Sequence, residues 1–265
     1  MMRRAPVFAL VGIMLAAAPA AERFDAEASG SCATTQTSGT LATIFSTCIT
    51  DTGNVRKFET LDGLFDNFAT PNSGDSYTIC DDETGGPGLS RAWSRWGVEE
   101  ANFSYPTTHT AQTNVRKTAD GRYTLTQSFV RDAAEKQLIV SMTLRNNGPG
   151  PVTRVFIQRS ADINAGGTTS FDVFLASRDS IAALNVVGQR TGMVMTVLTP
   201  EVTHATRVMP YSDFDPYRVQ DCSLYSPDPV ANPSPQGDYV GTILFNLGDL
   251  AAGQAKTVKI VYRGL

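Results

Sequence analysis

A segment rich in tyrosine, aspartate and proline, residues 210–238, carries side chains suited to holding a sugar. Aromatic rings stack on pyranose faces, while carboxylates and guanidinium groups bond to sugar hydroxyls. The segment holds six of the fourteen prolines of the chain, which keep it out of a central strand. The candidate ligand-binding residues are Trp93, Tyr211, Asp213, Asp215, Tyr217, Arg218 and Tyr225. The alternative is that these rings cover the end of the fold as a minor core.

A second group of residues offers oxygen ligands to a hard cation. Asp162, Asn164 and Asp172 lie around the Gly166-Gly167 turn, with carboxylate and amide oxygens at alternate positions. Such a loop, together with backbone carbonyls, supplies part of the six to eight oxygens that calcium prefers. We expect no cofactor here but an ordinary solvated turn, where Asp and Asn bond to their own backbone, and the alternative is a structural calcium ion.

The four cysteines predict two disulfides. We expect the pairs Cys32–Cys48 and Cys80–Cys222, because the first would staple a local hairpin and the second two turn-rich segments. The other two connectivities remain open. The spacing of the four cysteines fits no zinc-binding pattern.

The first twenty residues have the pattern of an export signal. Arg3 and Arg4 precede an apolar run over 5–18, and Ala18-Pro19-Ala20 offers a small-x-small cleavage pattern. The run of about 14 residues is shorter than the roughly 20 needed to cross a bilayer. We therefore expect a mature chain, 21–265, exported to the periplasm or the medium, with no membrane span after signal removal. Losing both arginines changes the formal net charge from −4 to −6, which disfavours nucleic acid as a partner.

The elements that must position these residues are strands. Apolar and polar residues alternate in six segments, which predicts antiparallel strands at 123–130, 137–145, 152–158, 193–198, 239–247 and 256–262. Turn residues separate them at 119–121 and 146–150. The fold class is therefore all-β, an antiparallel β-sandwich forming one domain over 21–265. At most two short helices are predicted. Apolar residues spaced three and four apart predict one at 58–68. The second, at 177–184, would have Ser177 as its N-cap.

Two stretches resemble the Ig-like repeats of bacterial surface proteins. Residues 138–158 (LIVSMTLRNNGPGPVTRVFIQ) resemble their strand–turn–strand with an Asn-x-Gly-Pro turn, and residues 247–262 (LGDLAAGQAKTVKIVY) their closing turn and strand. In that family the two motifs lie closer together, whereas about 90 residues separate them here. That distance suggests a larger sandwich, similar to the supersandwich of mutarotase-like and polysaccharide-lyase domains.

The mutarotase-like resemblance implies a testable chemistry, a glutamate and two histidines around a sugar ring. The chain has two histidines, His109 and His204, but no glutamate follows Glu201, where the family places its base. No Gly-x-Ser-x-Gly motif is present either. We therefore expect an exported, non-catalytic protein that binds a glycan or another cell-envelope component or has a structural role at the surface. The alternatives are a carbohydrate-active enzyme, epimerase- or lyase-like, on a supersandwich and a subunit of an extracellular assembly.

Overall fold

A computed structural model describes residues 32–39, 45–60, 68, 74–84, 91–95, 99–165, 172–185, 192–211 and 237–265. Within these residues the chain forms seventeen strands and no α-helix, and a 3₁₀ turn lies at Asp82–Thr84. Every strand pairing is antiparallel. The prediction of an all-β antiparallel sandwich is confirmed.

The strands form three sheets. The smallest comprises β1 (Cys32–Ser38), β2 (Phe45–Thr50) and β3 (Val55–Thr60). The eight-stranded sheet contains, in spatial order, β12 (Asp172–Ala176), β13 (Ser180–Asn185), β14 (Gly192–Val197), β17 (Ala255–Gly264), β10 (Gln137–Asn146), β9 (Tyr123–Asp132), β8 (Thr113–Thr118) and β7 (Phe103–His109). The six-stranded sheet contains β15 (His204–Pro210), β16 (Tyr239–Leu250), β11 (Val152–Asp162), β4 (Gly74–Cys80), β5 (Ala92–Arg95) and β6 (Glu99–Ala101).

All six strands predicted from alternation are present. Their first residues differ from the prediction by at most one position and their last residues by one to four. In β10 the predicted inward residues are buried, while Ile139, Ser141 and Thr143 between them are half-buried. The predicted turn after β10 is held by Asn146, whose side-chain amide donates to the carbonyls of Gly150 and Leu250, both at 2.9 Å. Period-two alternation was therefore sufficient to find the central strands.

The helix predicted at 177–184 is wrong. Residues 180–185 form β13, because Ile181 and Ala183 alternate into the core as a strand requires. The hydroxyl of Ser177 does accept a backbone N–H, as an N-cap would, but the donor is Ser180 across a tight turn, at 3.1 Å. The hydroxyl signal therefore marked a hairpin turn.

The helix predicted at 58–68 is also wrong at its start. Phe58 is the fourth residue of β3, fully buried, with its ring centroid 5.2 Å from that of Phe45. Phe68 is buried in the same core cluster. Residues 61–67 between them lie outside the described residues. The apolar spacing that predicted a helix therefore begins with Phe58, which is buried as part of a strand.

A charged network is buried between the two large sheets. Arg159 of β11 and Asp75 of β4 are both 0% exposed and form an ion pair, with Arg159 Nε donating to Asp75 Oδ2 at 2.6 Å. The Tyr262 hydroxyl and the Val55 N–H also donate to this carboxylate, at 2.9 and 2.6 Å. Burial opposes the charge of Arg159, and Asp75 with Tyr262 holds the pKa of this guanidinium above its usual range. The network links β11, β4, β17 and β3 across the core.

The disulfide predicted between Cys32 and Cys48 is confirmed. It joins β1 to β2 with a Cα–Cα distance of 5.4 Å. Cys80 is also disulfide-bonded, and Cys222, its predicted partner, lies outside the described residues. Disulfides form in oxidising compartments, so this chain folds outside the reducing cytosol. In the described part of the chain no helix is long and apolar enough to cross a bilayer.

Candidate functional site

The six-stranded sheet has one face against the core and one face turned away from it, which we call the outer face. Ile157 and Ala161 of β11 pack in the core cluster, and Arg159 between them bonds to the eight-stranded sheet. Side chains alternate along a strand, so Ser160 and Asp162 lie on the outer face. This face is polar at its centre although its side chains have little exposure.

Strand register brings five polar residues into one row across this face. Ser160 is paired with Thr242 on one side and with Ser76 on the other. Arg207 lies opposite Thr242, and Arg95 lies opposite Ser76. We call these five residues the polar row. It crosses β15, β16, β11, β4 and β5, a width of about 19 Å at the usual strand spacing of roughly 4.8 Å.

The centre of the polar row is a chain of hydroxyl groups. Thr242 donates to the Ser160 hydroxyl at 3.0 Å, and the Gln158 amide nitrogen also donates to it at 3.0 Å. Ser160, Thr242 and Ser76 are between 1% and 3% exposed. The row therefore has neutral donors and acceptors at its centre and a cation at either end.

The two arginines at the ends are better exposed than the hydroxyls. Arg95 forms an ion pair with Glu99, with 3.5 Å between Nη1 and Oε2. Arg207 is half-buried, and its Nε is buried without a hydrogen-bond partner in the part of the chain that the structure describes. This N–H can donate to a further acceptor, either a water molecule or a ligand oxygen.

Two of the aromatic residues predicted to bind a ligand lie on the outer face. Trp93 is paired with Thr78 and Ala101 in the row next to the polar row, and it is 1% exposed. Tyr211, half-buried, packs on Met209 and Val240 in a small apolar cluster separate from the core. Stacking on a sugar requires an exposed ring, so Tyr211 meets that requirement better than Trp93.

The other predicted ligand residues lie outside the described residues, and their role stays a prediction. They are Asp213, Asp215, Tyr217, Arg218 and Tyr225. The two ends of their segment are described. The backbone N–H of Tyr211 donates to the carbonyl of Asp238 at 2.9 Å, so these two residues lie next to each other, four residues along their strands from the polar row.

The residues predicted to bind calcium are only partly described. Asp162 is 4% exposed and Asn164 1%, and the Oδ1 of each is buried without a hydrogen-bond partner among the described residues. Burial raises the pKa of Asp162 to about 7; the Asp238 carboxylate raises it as well, and Arg95 lowers it. Asp172 begins β12, and nothing is described of its side chain. No group of three His, Cys, Asp or Glu side chains in the described ranges is arranged to hold a metal.

The two histidines lie in different parts of the sandwich. His204 at the start of β15 has Nε2 2.8 Å from Asp179 Oδ1 and Nδ1 2.7 Å from the Val202 carbonyl. His109 ends β7 and contacts the Thr34 hydroxyl at 3.1 Å, and burial lowers its pKa against the influence of Asp51. Asp179 directly precedes β13, which is six strand spacings from β7, about 29 Å along the sheet. One sugar ring cannot contact both histidines.

The polar row was missed by the sequence analysis. Its members come from five strands spread over residues 76–242, so only the register unites them. The predicted strand 152–158 ended two residues before Ser160. The available signal was alternation of polar residues at 158, 160 and 162.

The protein is an all-β antiparallel sandwich with a polar outer face. Solved structures with the same architecture are known. No family model and no curated protein matches the sequence. A bacterial glucoamylase complexed with acarbose matches with a TM-score of 0.58 and 10% identity. The match covers 93% of this chain and 34% of the glucoamylase, so the chain spans about a third of that length.

Two further structures are more distant. A galactose mutarotase related enzyme from Lactobacillus acidophilus matches with a TM-score of 0.41 and 8% identity, over 88% of this chain and 97% of its own. A family GH92 alpha-mannosidase from Bacteroides thetaiotaomicron matches with a TM-score of 0.35 and 13% identity, over 80% and 26%. A mutarotase related enzyme is thus among the matching structures. The resemblance to Ig-like repeats stays a prediction.

Proposed function

We propose that the protein binds a carbohydrate on the outer face of its six-stranded sheet, without catalysing a reaction. The observation that carries the proposal is the polar row, in which hydroxyl groups lie between Arg207 and Arg95. Sugars present closely spaced hydroxyls that both donate and accept, and the row offers both kinds of partner. The net charge of −4 disfavours the competing class of polyanionic ligands.

An apolar contact is available at one side of the same face. Tyr211, supported by Met209 and Val240, offers a ring that a pyranose face can cover. The ring of Trp93 is covered, so it can contact a ligand only if it becomes exposed when the ligand binds. The predicted ligand residues Asp213, Asp215, Tyr217, Arg218 and Tyr225 belong to this proposal as further sugar-binding side chains. A few polar groups combined with an aromatic contact are typical of ligand sites.

A carbohydrate-active enzyme is the second candidate. The observation in its favour is the likeness to a glucoamylase whose structure contains acarbose. Fold likeness does not transfer an activity. The separation of His109 and His204 disfavours the two-histidine epimerase form of this candidate.

A binding screen of the mature protein tests the proposal. Retention is measured on insoluble and soluble polysaccharides, and the release of reducing ends is followed in the same samples. We expect retention of the wild type, weaker retention of Tyr211→Ala and unchanged retention of Val130→Ala, an exposed position on the other large sheet. The proposal is contradicted if Tyr211→Ala is retained as strongly as the wild type. It is also contradicted if no polysaccharide retains the wild type. Release of reducing ends would favour the enzyme.

A further inference from the structure

Three residues with oxygen-bearing side chains lie at the end of the outer face where the pairing of β11 with β16 ends. Asp162 is the last residue of β11 and is paired with Val240. Ile163 and Ala165 both pack in the core cluster, so Asn164 between them faces the same side as Asp162. We call Asp162, Asn164 and Asp238 the Asp162 cluster.

Asp238 joins this cluster through the register of the two strands. The pairing of Asp162 with Val240 places Asp238, two residues before Val240, at the same end of the two strands. Tyr239 packs in the core and Val240 on the outer face. Alternation therefore turns Asp238 to the outer face, where its residue is exposed. The hydrogen bond from Tyr211 N–H to the Asp238 carbonyl fixes the backbone here.

Two buried oxygens of this cluster have no hydrogen-bond donor among the described residues. Asp162 Oδ1 and Asn164 Oδ1 are buried and accept no hydrogen bond from the described residues. A buried carboxylate oxygen without a partner is costly. The second carboxylate, Asp238, repels Asp162, and Arg95 opposes this repulsion. A cation among these oxygens would remove both costs.

We infer that the Asp162 cluster binds a divalent cation, Ca²⁺, through two carboxylates and one amide oxygen. All three ligands are hard oxygen donors, and no sulfur or imidazole group belongs to the cluster, which favours Ca²⁺ over transition metals. Asp162 and Asn164 supply the buried ligands, while Asp238 lies at the exposed entrance. The remaining ligands come from backbone carbonyls and water. The ion would join β11 to the start of β16, beside the polar row.

This site differs from the one expected from the sequence. That expectation placed the ion among Asp162, Asn164 and Asp172, along one loop. The register replaces the third residue by Asp238, which follows Asp162 by 76 positions in the sequence. The inference does not depend on carbohydrate binding, because it concerns ion binding to the free protein.

Calorimetric titration of the metal-free full mature chain with CaCl₂ tests the inference. We expect a dissociation constant of roughly 0.1–1 mM, the weak range of extracellular calcium modules. At about 10 mM Ca²⁺ the melting temperature should rise by about 3–10 °C relative to an NaCl control of equal ionic strength. Asp238→Asn should weaken the affinity at least about tenfold. Glu135→Gln, which removes an exposed carboxylate elsewhere, should leave it unchanged.

Two results would overturn the inference. If Ca²⁺ produces neither heat nor a change in melting temperature, the carboxylates are neutralised by a proton instead of a cation. In that case Asp238→Asn should have a higher melting temperature than the wild type, by the same amount in the presence of Ca²⁺ and in the presence of a chelator. If Ca²⁺ stabilises Asp238→Asn as much as the wild type, the ion binds elsewhere. Asp238 is exposed, so this variant is expected to fold.

Discussion

Replacing Asp75 by alanine should destabilise the protein more than most single substitutions. The side chains of Asp75 and Arg159 are both fully buried, so the variant leaves a guanidinium without its counter-charge. Removing one member of a buried ion pair costs about 3–5 kcal/mol. The Val55 N–H and the Tyr262 hydroxyl also lose their acceptor. We therefore expect a loss at the upper end of this range, about 4–5 kcal/mol.

Urea unfolding and thermal unfolding measure this loss. For a chain of this size, about 4–5 kcal/mol corresponds to a fall in melting temperature of about 8–20 °C. The matched control is Glu135→Ala, which removes an exposed carboxylate 3.9 Å from Arg263 and should cost at most about 1 kcal/mol. A loss for Asp75→Ala no larger than that of the control would refute the reasoning, because it would mean that the buried pair is not formed.

Two further predictions concern the disulfide and one turn. Cys32→Ser removes the bond to Cys48 from an exposed position and should cost about 3 kcal/mol in urea unfolding, as expected for a loop of 16 residues; equal stability of variant and wild type would contradict this. Gly53→Ala should cost more than Gly121→Ala, by about 1–3 kcal/mol. Both glycines have positive φ, but only at Gly53 would the added Cβ meet another side chain, 2.3 Å from Gln127 Nε2. Equal losses at the two positions would show that the clash is relieved without cost.

Much of the fold could be predicted because alternation reports burial on one face. In β10, Leu138, Val140, Met142 and Leu144 are all buried as the period of two requires. The same pattern failed in β11 beyond Gln158. There Arg159 faces the interior, where Asp75 neutralises it, so the strand has polar residues on both faces. Hydrophobic alternation cannot identify such a strand.

The candidate site was predicted only in outline. Tyr211 and Trp93 were found from residue type, and both lie on the outer face. The polar row was not found, because Arg207, Ser160 and Ser76 become neighbours only through the pairing of strands distant in sequence. For the same reason Asp238 was absent from the expected cation ligands. Local patterns give residue types, whereas register decides which of them meet.

The affinity of Arg207→Ala for the polysaccharide that retains the wild type tests the central claim most directly. The matched control is Arg263→Ala, an exposed arginine of the eight-stranded sheet. A hydrogen bond to a charged group contributes about 1.5–3 kcal/mol, so Arg207→Ala should bind about tenfold or more weakly. Arg263→Ala should bind as the wild type does. Equal affinity of all three proteins would contradict carbohydrate binding by the polar row.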